Sequence, residues 1–300
     1  MVVNLVRAAR SRNTLIETFR TGTALSLPKE AVTNMHKIIM NGTGHAMYVN
    51  PGDKRGGRMK RYAGLSQPAV TAFWRKAVSL LEPAIVVDAG ANYGEILLSA
   101  QYPVYTEIVA IEANEGLRPY LLRSIGDHPN SRQMKAVFAF VSDEADNTIS
   151  FYVDQSHSGL SSGHPSGSRA VKSTSIGTVT IDSLFQDRII QGGTLLFKMD
   201  VEGFEWQAIK GMSKLLDSCA GAIGCIEFNR SYMIEKGIDL NGFIDFLSER
   251  FLLYAPDASG RLIPMETPVH ESIARHFNAD KTCNDLVLST SAELVSKLES

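Results

Sequence analysis

The segment VVDAGANYGE, residues 86–95, constrains this chain more than any other. An apolar run, residues 84–87, leads into Asp88 and then the turn Gly90-Ala91-Asn92-Tyr93-Gly94. That order predicts a buried strand, a tight glycine turn and a helix over residues 95–101. Glycines there let the backbone approach a ligand with no Cβ in the way. A second apolar strand, residues 108–111, ends in Glu112, 18 residues beyond Gly94 (112 − 94). A carboxylate at that distance is the usual partner of ribose hydroxyls, since it accepts both hydrogen bonds. The turn reads GxxxG with Asp88 before it, not the GxGxxG of a dinucleotide site. It suits a nucleoside with a positive sulfonium and an amino-acid tail better than a pyrophosphate.

From residue 84 onward, strand and helix patterns alternate. Residues 134–141 read as a third strand ending at Ser142-Asp143, and residues 148–153 as a hairpin partner. The stretch HSGLSSGHPSGS, residues 157–168, reads as a loop, because the strand-like SIGTVTIDSL follows it. Then come a strand over 194–200, a helix over 205–216, a strand over 222–228 and a helix over 240–250. Residues 251–254 and 285–288 are a candidate closing antiparallel pair. Such alternation implies one α/β domain, residues 81–300, with a mostly parallel sheet and ligands at the carboxyl ends of its strands.

Residues 1–80 form an extension. The spacings Val3-Val6-Ala9 and Ala31-Met35-Ile38 suggest short helices, and residues 67–81 a longer one, so the extension is expected to be mainly helical. Between them, PGDKRGGRMKRYAG (51–64) reads as a glycine-rich basic loop. Two readings stand: a solvated charged loop, or a lid that recognises phosphate or carboxylate on an acceptor. The extension is expected to shape acceptor binding rather than the donor site.

A net charge of −2 gives no general attraction to nucleic acid or anionic membrane. Three cysteines, Cys219, Cys225 and Cys283, show no CxxC spacing, which points to a reducing compartment without a zinc site. No apolar stretch reaches membrane-spanning length, and the start MVVNLVRAARSRN lacks a secretory pattern. The expected location is the cytoplasm. Oligomeric state is not legible.

The stretch LLFKMDVEGFEWQAIKGM, residues 195–212, delivers Lys198, Asp200 and Glu202 on one side of an extended chain. Three charges there are costly unless paired or engaged with a ligand. Lys198 and Glu202 are a candidate ion pair, with Asp200 capping the helix; the alternative is a working site at the end of a central strand. In GCIEFN another strand ends in an acid, Glu227, with Asn229 two residues on.

Together, VVDAGANYG, VAIEAN, AFVSDE, SGLSS, TVTIDSL, FKMDVEGFE and IEFN resemble, in order and spacing, the FkbM family of S-adenosylmethionine-dependent methyltransferases. Residues 84–230 carry the resemblance. It implies a Rossmann-like seven-stranded methyltransferase sheet, S-adenosylmethionine as methyl donor, and O-methylation of a sugar, glycan or natural-product hydroxyl. It also implies that Gly90, Ala91, Asn92 and Gly94 hold the methionine portion and that Asp88 orients its amino group or the turn. Glu112 would take the ribose, and Ser142 and Asp143 would meet the adenine.

An alcohol attacks only as its proton leaves, so a base or a metal is wanted. Candidates are Asp200, Glu202, Glu227, His157 and His164, with Lys198 to polarise the nucleophile. Asp200, Glu227 and Asn229 also form a candidate oxygen cage for Mg²⁺. Two other functions compete: a nucleotide-dependent oxidoreductase on the same kind of sheet, and an RNA or protein methyltransferase using the basic segment as a phosphate contact.

Overall fold

The computed structural model describes residues 35–164, 171–186, 192–277 and 285–300. The helices suggested by Val3-Val6-Ala9 and by Ala31, the loop end 165–168 and Cys283 lie outside the described residues.

The chain opens with a hairpin of β1 (His36–Ile39) and β2 (Ala46–Val49), followed by helices α1 (Lys54–Arg61) and α2 (Pro68–Leu81). Strands β3 (Ile85–Ala89) and β4 (Glu107–Ile111), helix α3 (Arg118–Gly126) and strand β5 (Met134–Val137) come next. A side sheet uses β6 (Phe140–Val141), β7 (Thr148–Asp154) and β8 (Val171–Val179). The main sheet resumes with β9 (Thr194–Met199), helices α4 (Glu205–Lys210) and α5 (Ser213–Ser218), and β10 (Gly221–Glu227). Helices α6 (Arg230–Glu235) and α7 (Leu240–Arg250) lead to β11 (Leu252–Pro256), β12 (Leu262–Pro264), α8 (Val269–His276), β13 (Asp285–Ser289) and α9 (Ala292–Glu299).

The main sheet runs β12-β11-β13-β10-β9-β3-β4-β5, with β13 antiparallel to β10 and to β11. Seven of these eight strands make the expected methyltransferase sheet; β12 adds a three-residue edge. Alternation along β3 feeds both faces, Val86 packing into one core and Ile85 and Val87 into the other. Strand order reverses at β3, between β4 and β9. A ligand crevice is therefore expected where the carboxyl ends of β3 and β9 part.

Several local expectations give way. Ile38 lies in β1 rather than a helix, because Asn41-Gly42-Thr43-Gly44 turns the chain back, with Gly42 at φ +83° and Gly44 at φ +73°. The basic segment is helical over α1: the Asp53 carboxylate accepts from the N–H groups of Arg55 and Gly56 and starts the helix. Gly56 is required there, since a Cβ would sit 2.1 Å from the Asn50 carbonyl oxygen. Met59 on this helix and Trp74 on α2 are buried in the main core, so residues 36–81 pack against the sheet and helices still dominate them. After the glycine turn only a 3-10 turn forms, Leu97–Ser99. The helix expected over 205–216 breaks into α4 and α5 at Gly211, where the Ser142 carbonyl leaves no room for a Cβ. Among the described residues, no helix is long and apolar enough to cross a membrane.

Candidate active site

A cavity of ≈ 600 Å³ opens at the carboxyl ends of β3, β4, β9 and β10, a volume usual for a small-molecule site. Its floor is the glycine turn. Gly90 has φ +76°, and a Cβ on it would fall 1.8 Å from the Asp200 carbonyl oxygen. Only glycine lets the ends of β3 and β9 meet this closely. Asn92 adopts φ +50°, and its N–H donates to Glu112 Oε2 at 2.7 Å. The Asn114 N–H donates to Glu112 Oε1 at 2.7 Å. Burial pushes the Glu112 carboxyl up to about 7, against those two backbone donors. Glu112 is thus fixed against the turn, on the cavity wall, where the ribose reading needs it.

Below the turn, Lys198 is buried between two carboxylates, 3.3 Å from Asp200 and 3.7 Å from Asp88. Its ammonium also reaches the Gly90 carbonyl oxygen at 3.5 Å. Burial alone would lower its pKa, but Asp200 and Asp88 raise it, so the lysine stays charged. Burial favours the neutral form of Asp200 too, yet Lys198 more than offsets it and holds that carboxyl below its ordinary value. For Asp88, 1 % exposed, burial wins and the pKa rises. Lys198 therefore pairs with Asp88 and Asp200, not with Glu202, and it is not on the wall of the large cavity. Asp200 is not the helix cap either. Buried Glu205 accepts from the N–H groups of Val201 and Gly203 and closes the DVEG turn, a role the sequence did not reveal.

Asp200, Glu202 and Glu227 converge on the cavity wall, each offering a carboxylate oxygen within 4.8 Å of the others. Glu202, in the left-handed region at φ +53°, has its pKa raised well above normal by burial and then by Glu227. Asn229 lines the cavity, but its side-chain oxygen accepts from the Tyr232 N–H and caps α6, so Glu202 takes its expected place in the acidic group. His157 lines the cavity with an unpartnered Nδ1; burial lowers its pKa and keeps the ring neutral. His164 stacks on Phe204 at 4.6 Å, away from the wall.

Ser142 and Asp143 also lie off the wall; Ala139, Phe140 and Val141 line it instead. The strand expected over 134–141 stops at Val137, and β6 leaves the main sheet to pair with β8, carrying Ser142 away to the Val179 carbonyl. Gln67 and Asp285 join the wall with no signature in the sequence, and Arg55 comes from the basic segment 51–64. Gln67 helps to lower the Asp200 carboxyl pKa, and Asp285 faces Glu227 across the β10–β13 ladder.

The wall thus carries Glu112, Asp200, Glu202, Glu227 and Asp285 against Arg55 and Arg58. A glycine floor and a carboxylate at the end of β4 are what a nucleoside-binding site on such a sheet requires. Residues 88–251, more than half of the chain, match the family model described as the methyltransferase FkbM domain, and the chain belongs to that family of S-adenosylmethionine-dependent methyltransferases.

Among solved structures, the chain is similar to an O-methyltransferase from Bacillus cereus in complex with SAH (10 % identity, 74 % of this chain and 80 % of that one, TM-score 0.42). It is also similar to precorrin-6y C5,15-methyltransferase from Geobacter metallireducens (10 %, 75 % and 90 %, TM-score 0.39). A third is an SAM-dependent O-methyltransferase from Thermotoga maritima (11 %, 85 % and 77 %, TM-score 0.38). No curated protein matches the chain.

Proposed function

We propose that this methyltransferase O-methylates a hydroxyl of a small molecule: a sugar, a glycan or a natural product. The observation that carries the proposal is the carboxylate group Asp200–Glu202–Glu227 on the wall of the cavity that the glycine turn floors. Carboxylates accept hydrogen bonds from hydroxyls, and one of raised pKa has the proton affinity to take a hydroxyl proton near neutral pH. S-adenosylmethionine, when bound, supplies an electrophilic methyl group. The glycine turn and Glu112 would hold its nucleoside. Asp200, kept ionised by Lys198, would orient the acceptor hydroxyl, and Glu202, raised by burial and by Glu227, would receive its proton. His157, neutral and unpartnered at Nδ1, is the alternative proton acceptor. Alignment of the methyl group with the hydroxyl oxygen would do much of the rest.

The same three carboxylates are the candidate ligands for a hard divalent cation, which would lower the acceptor's own pKa. EDTA separates the two routes: loss of turnover restored by Mg²⁺ assigns the group to metal binding, and indifference assigns it to proton transfer. Transfer to RNA or protein is the alternative: Arg55 turns inward to Glu95, but Lys54, Arg58, Lys60 and Arg61 of the basic helix stay exposed.

The experiment is S-adenosylhomocysteine release measured over a panel of glycosides, polyols, amines, carboxylic acids and RNA. Turnover confined to hydroxyl acceptors supports the proposal; turnover confined to the other classes overturns it.

A further inference from the structure

Besides His157 Nδ1, the described wall contains two buried polar atoms with no partner, one a donor and one an acceptor: Arg55 Nε and Gln67 Oε1. Both side chains come from the segment before the family-matched region, and both are set by one carboxylate. Glu95, directly after the glycine turn, accepts from Arg55 Nη2 at 3.2 Å and from the Gln67 N–H at 2.7 Å. The Ser66 hydroxyl adds a third donor at 2.7 Å. Helix α1 is pinned to the same turn at its start, where Asp53 accepts from the Tyr93 hydroxyl at 2.8 Å and from the Ser158 hydroxyl at 2.6 Å.

Arg55 and Gln67 line both the large cavity and a smaller recess beneath it that holds Asp88, Gly90, Lys198 and Asp200. Gly90 lines both, whereas Ala139 and Phe140 line only the large cavity. A nucleoside on Glu112 would direct its amino-acid tail past Gly90 toward Arg55 and Gln67. That tail carries one carboxylate and one ammonium. Of the two cations on the described cavity wall, Arg58 is exposed, whereas the Arg55 side chain is only 14 % exposed. A buried N–H of a guanidinium calls for an oxyanion, and a buried amide oxygen beside Asp200 calls for a cationic donor.

We propose that Arg55 receives the carboxylate of the methionine portion of S-adenosylmethionine and that Gln67 Oε1, beside Asp200, receives its ammonium. The segment before residue 88 then completes the donor site rather than serving the acceptor alone. The inference rests on the donor-site reading of the Gly90 turn and Glu112.

Calorimetry with three ligands tests it on the intact chain: S-adenosylhomocysteine, its decarboxylated analogue, and 5′-methylthioadenosine, which lacks the whole tail. The wild type is expected to bind S-adenosylhomocysteine about 10- to 100-fold more tightly than the decarboxylated analogue, as a charge-assisted hydrogen bond implies. Arg55→Gln should erase most of that difference and leave 5′-methylthioadenosine affinity within about twofold, while Arg55→Lys recovers part of it. An equal loss for all three ligands in Arg55→Gln would make Arg55 a packing residue and overturn the proposal. So would equal wild-type affinity for S-adenosylhomocysteine and its decarboxylated analogue, a result that needs no variant to fold. Failure of the donor-site reading looks different: Glu112→Ala would then leave 5′-methylthioadenosine binding intact.

Discussion

Replacing Lys198 by methionine keeps most of the side-chain length and removes its charge. It leaves Asp88, 1 % exposed, facing Asp200 with no cation between them. Breaking a buried pair by deleting one partner costs about 3–5 kcal/mol, a large share of the total of about 5–15 kcal/mol for a protein. At about 2–4 °C per kcal/mol for a chain of this size class, the midpoint of thermal unfolding should drop by about 6–20 °C. The loss should also depend on pH. Lys198 itself contributes uniformly from pH 5 to 8, because its raised pKa lies far above that window. In Lys198→Met the Asp88 pKa rises further above its unfolded value. Its contribution is then largest at low pH and is lost as pH rises through the folded pKa. The variant should therefore be more destabilised at pH 8 than at pH 5, and Asp88→Asn in the same background should restore part of the loss. Urea unfolding followed by fluorescence of Trp74 and Trp206 reads all of this. A deficit below about 1 kcal/mol, or one equal at both pH values, would refute the reasoning.

Gly90→Ala should abolish S-adenosylhomocysteine binding in calorimetry and lower the unfolding midpoint, since its Cβ would overlap the Asp200 carbonyl at 1.8 Å. Gly57→Ala, on α1 with nothing within 4 Å of the added Cβ, should instead stabilise by about 0.5–1 kcal/mol in urea titrations. His128, lowered to about 4 by burial and then by His45, gives stability that is present above the unfolded pKa and lost as pH falls toward 4. Unfolding midpoints measured from pH 7 to pH 4.5 should fall less steeply for His128→Asn than for the wild type.

What sequence revealed and what it hid follow from separation along the chain. Strands β3, β4, β9 and β10 are apolar runs with a polar residue at or just past the end, so Gly90, Glu112, Asp200 and Glu227 were legible as strand-end residues. Helix α7 and the β11–β13 pair likewise carry their own periodicity. The convergence of Glu202 with Asp200 and Glu227 depends on the turn past β9, where Glu202 takes the left-handed region, and on the parallel register of β9 beside β10. Arg55 and Gln67 were hidden because their role depends on Glu95, 40 and 28 residues away. Two glycines in KRGGRMKR mask a helix, although Asp53 before them is an N-cap signal. Asn41-Gly42 was an equally direct hairpin signal, overshadowed by the helix-like spacing of Ala31, Met35 and Ile38. Ser142 and Asp143 were misplaced because nothing in Met134 to Val141 marks where one sheet is left for another.

The nucleoside position between the glycine turn and Glu112 is tested most directly by titrating S-adenosylhomocysteine calorimetrically into the wild type and Glu112→Ala. The wild type should bind one equivalent, and the variant should bind about 10- to 100-fold more weakly through loss of charge-assisted hydrogen bonds to the ribose. Unchanged affinity in Glu112→Ala would contradict the site.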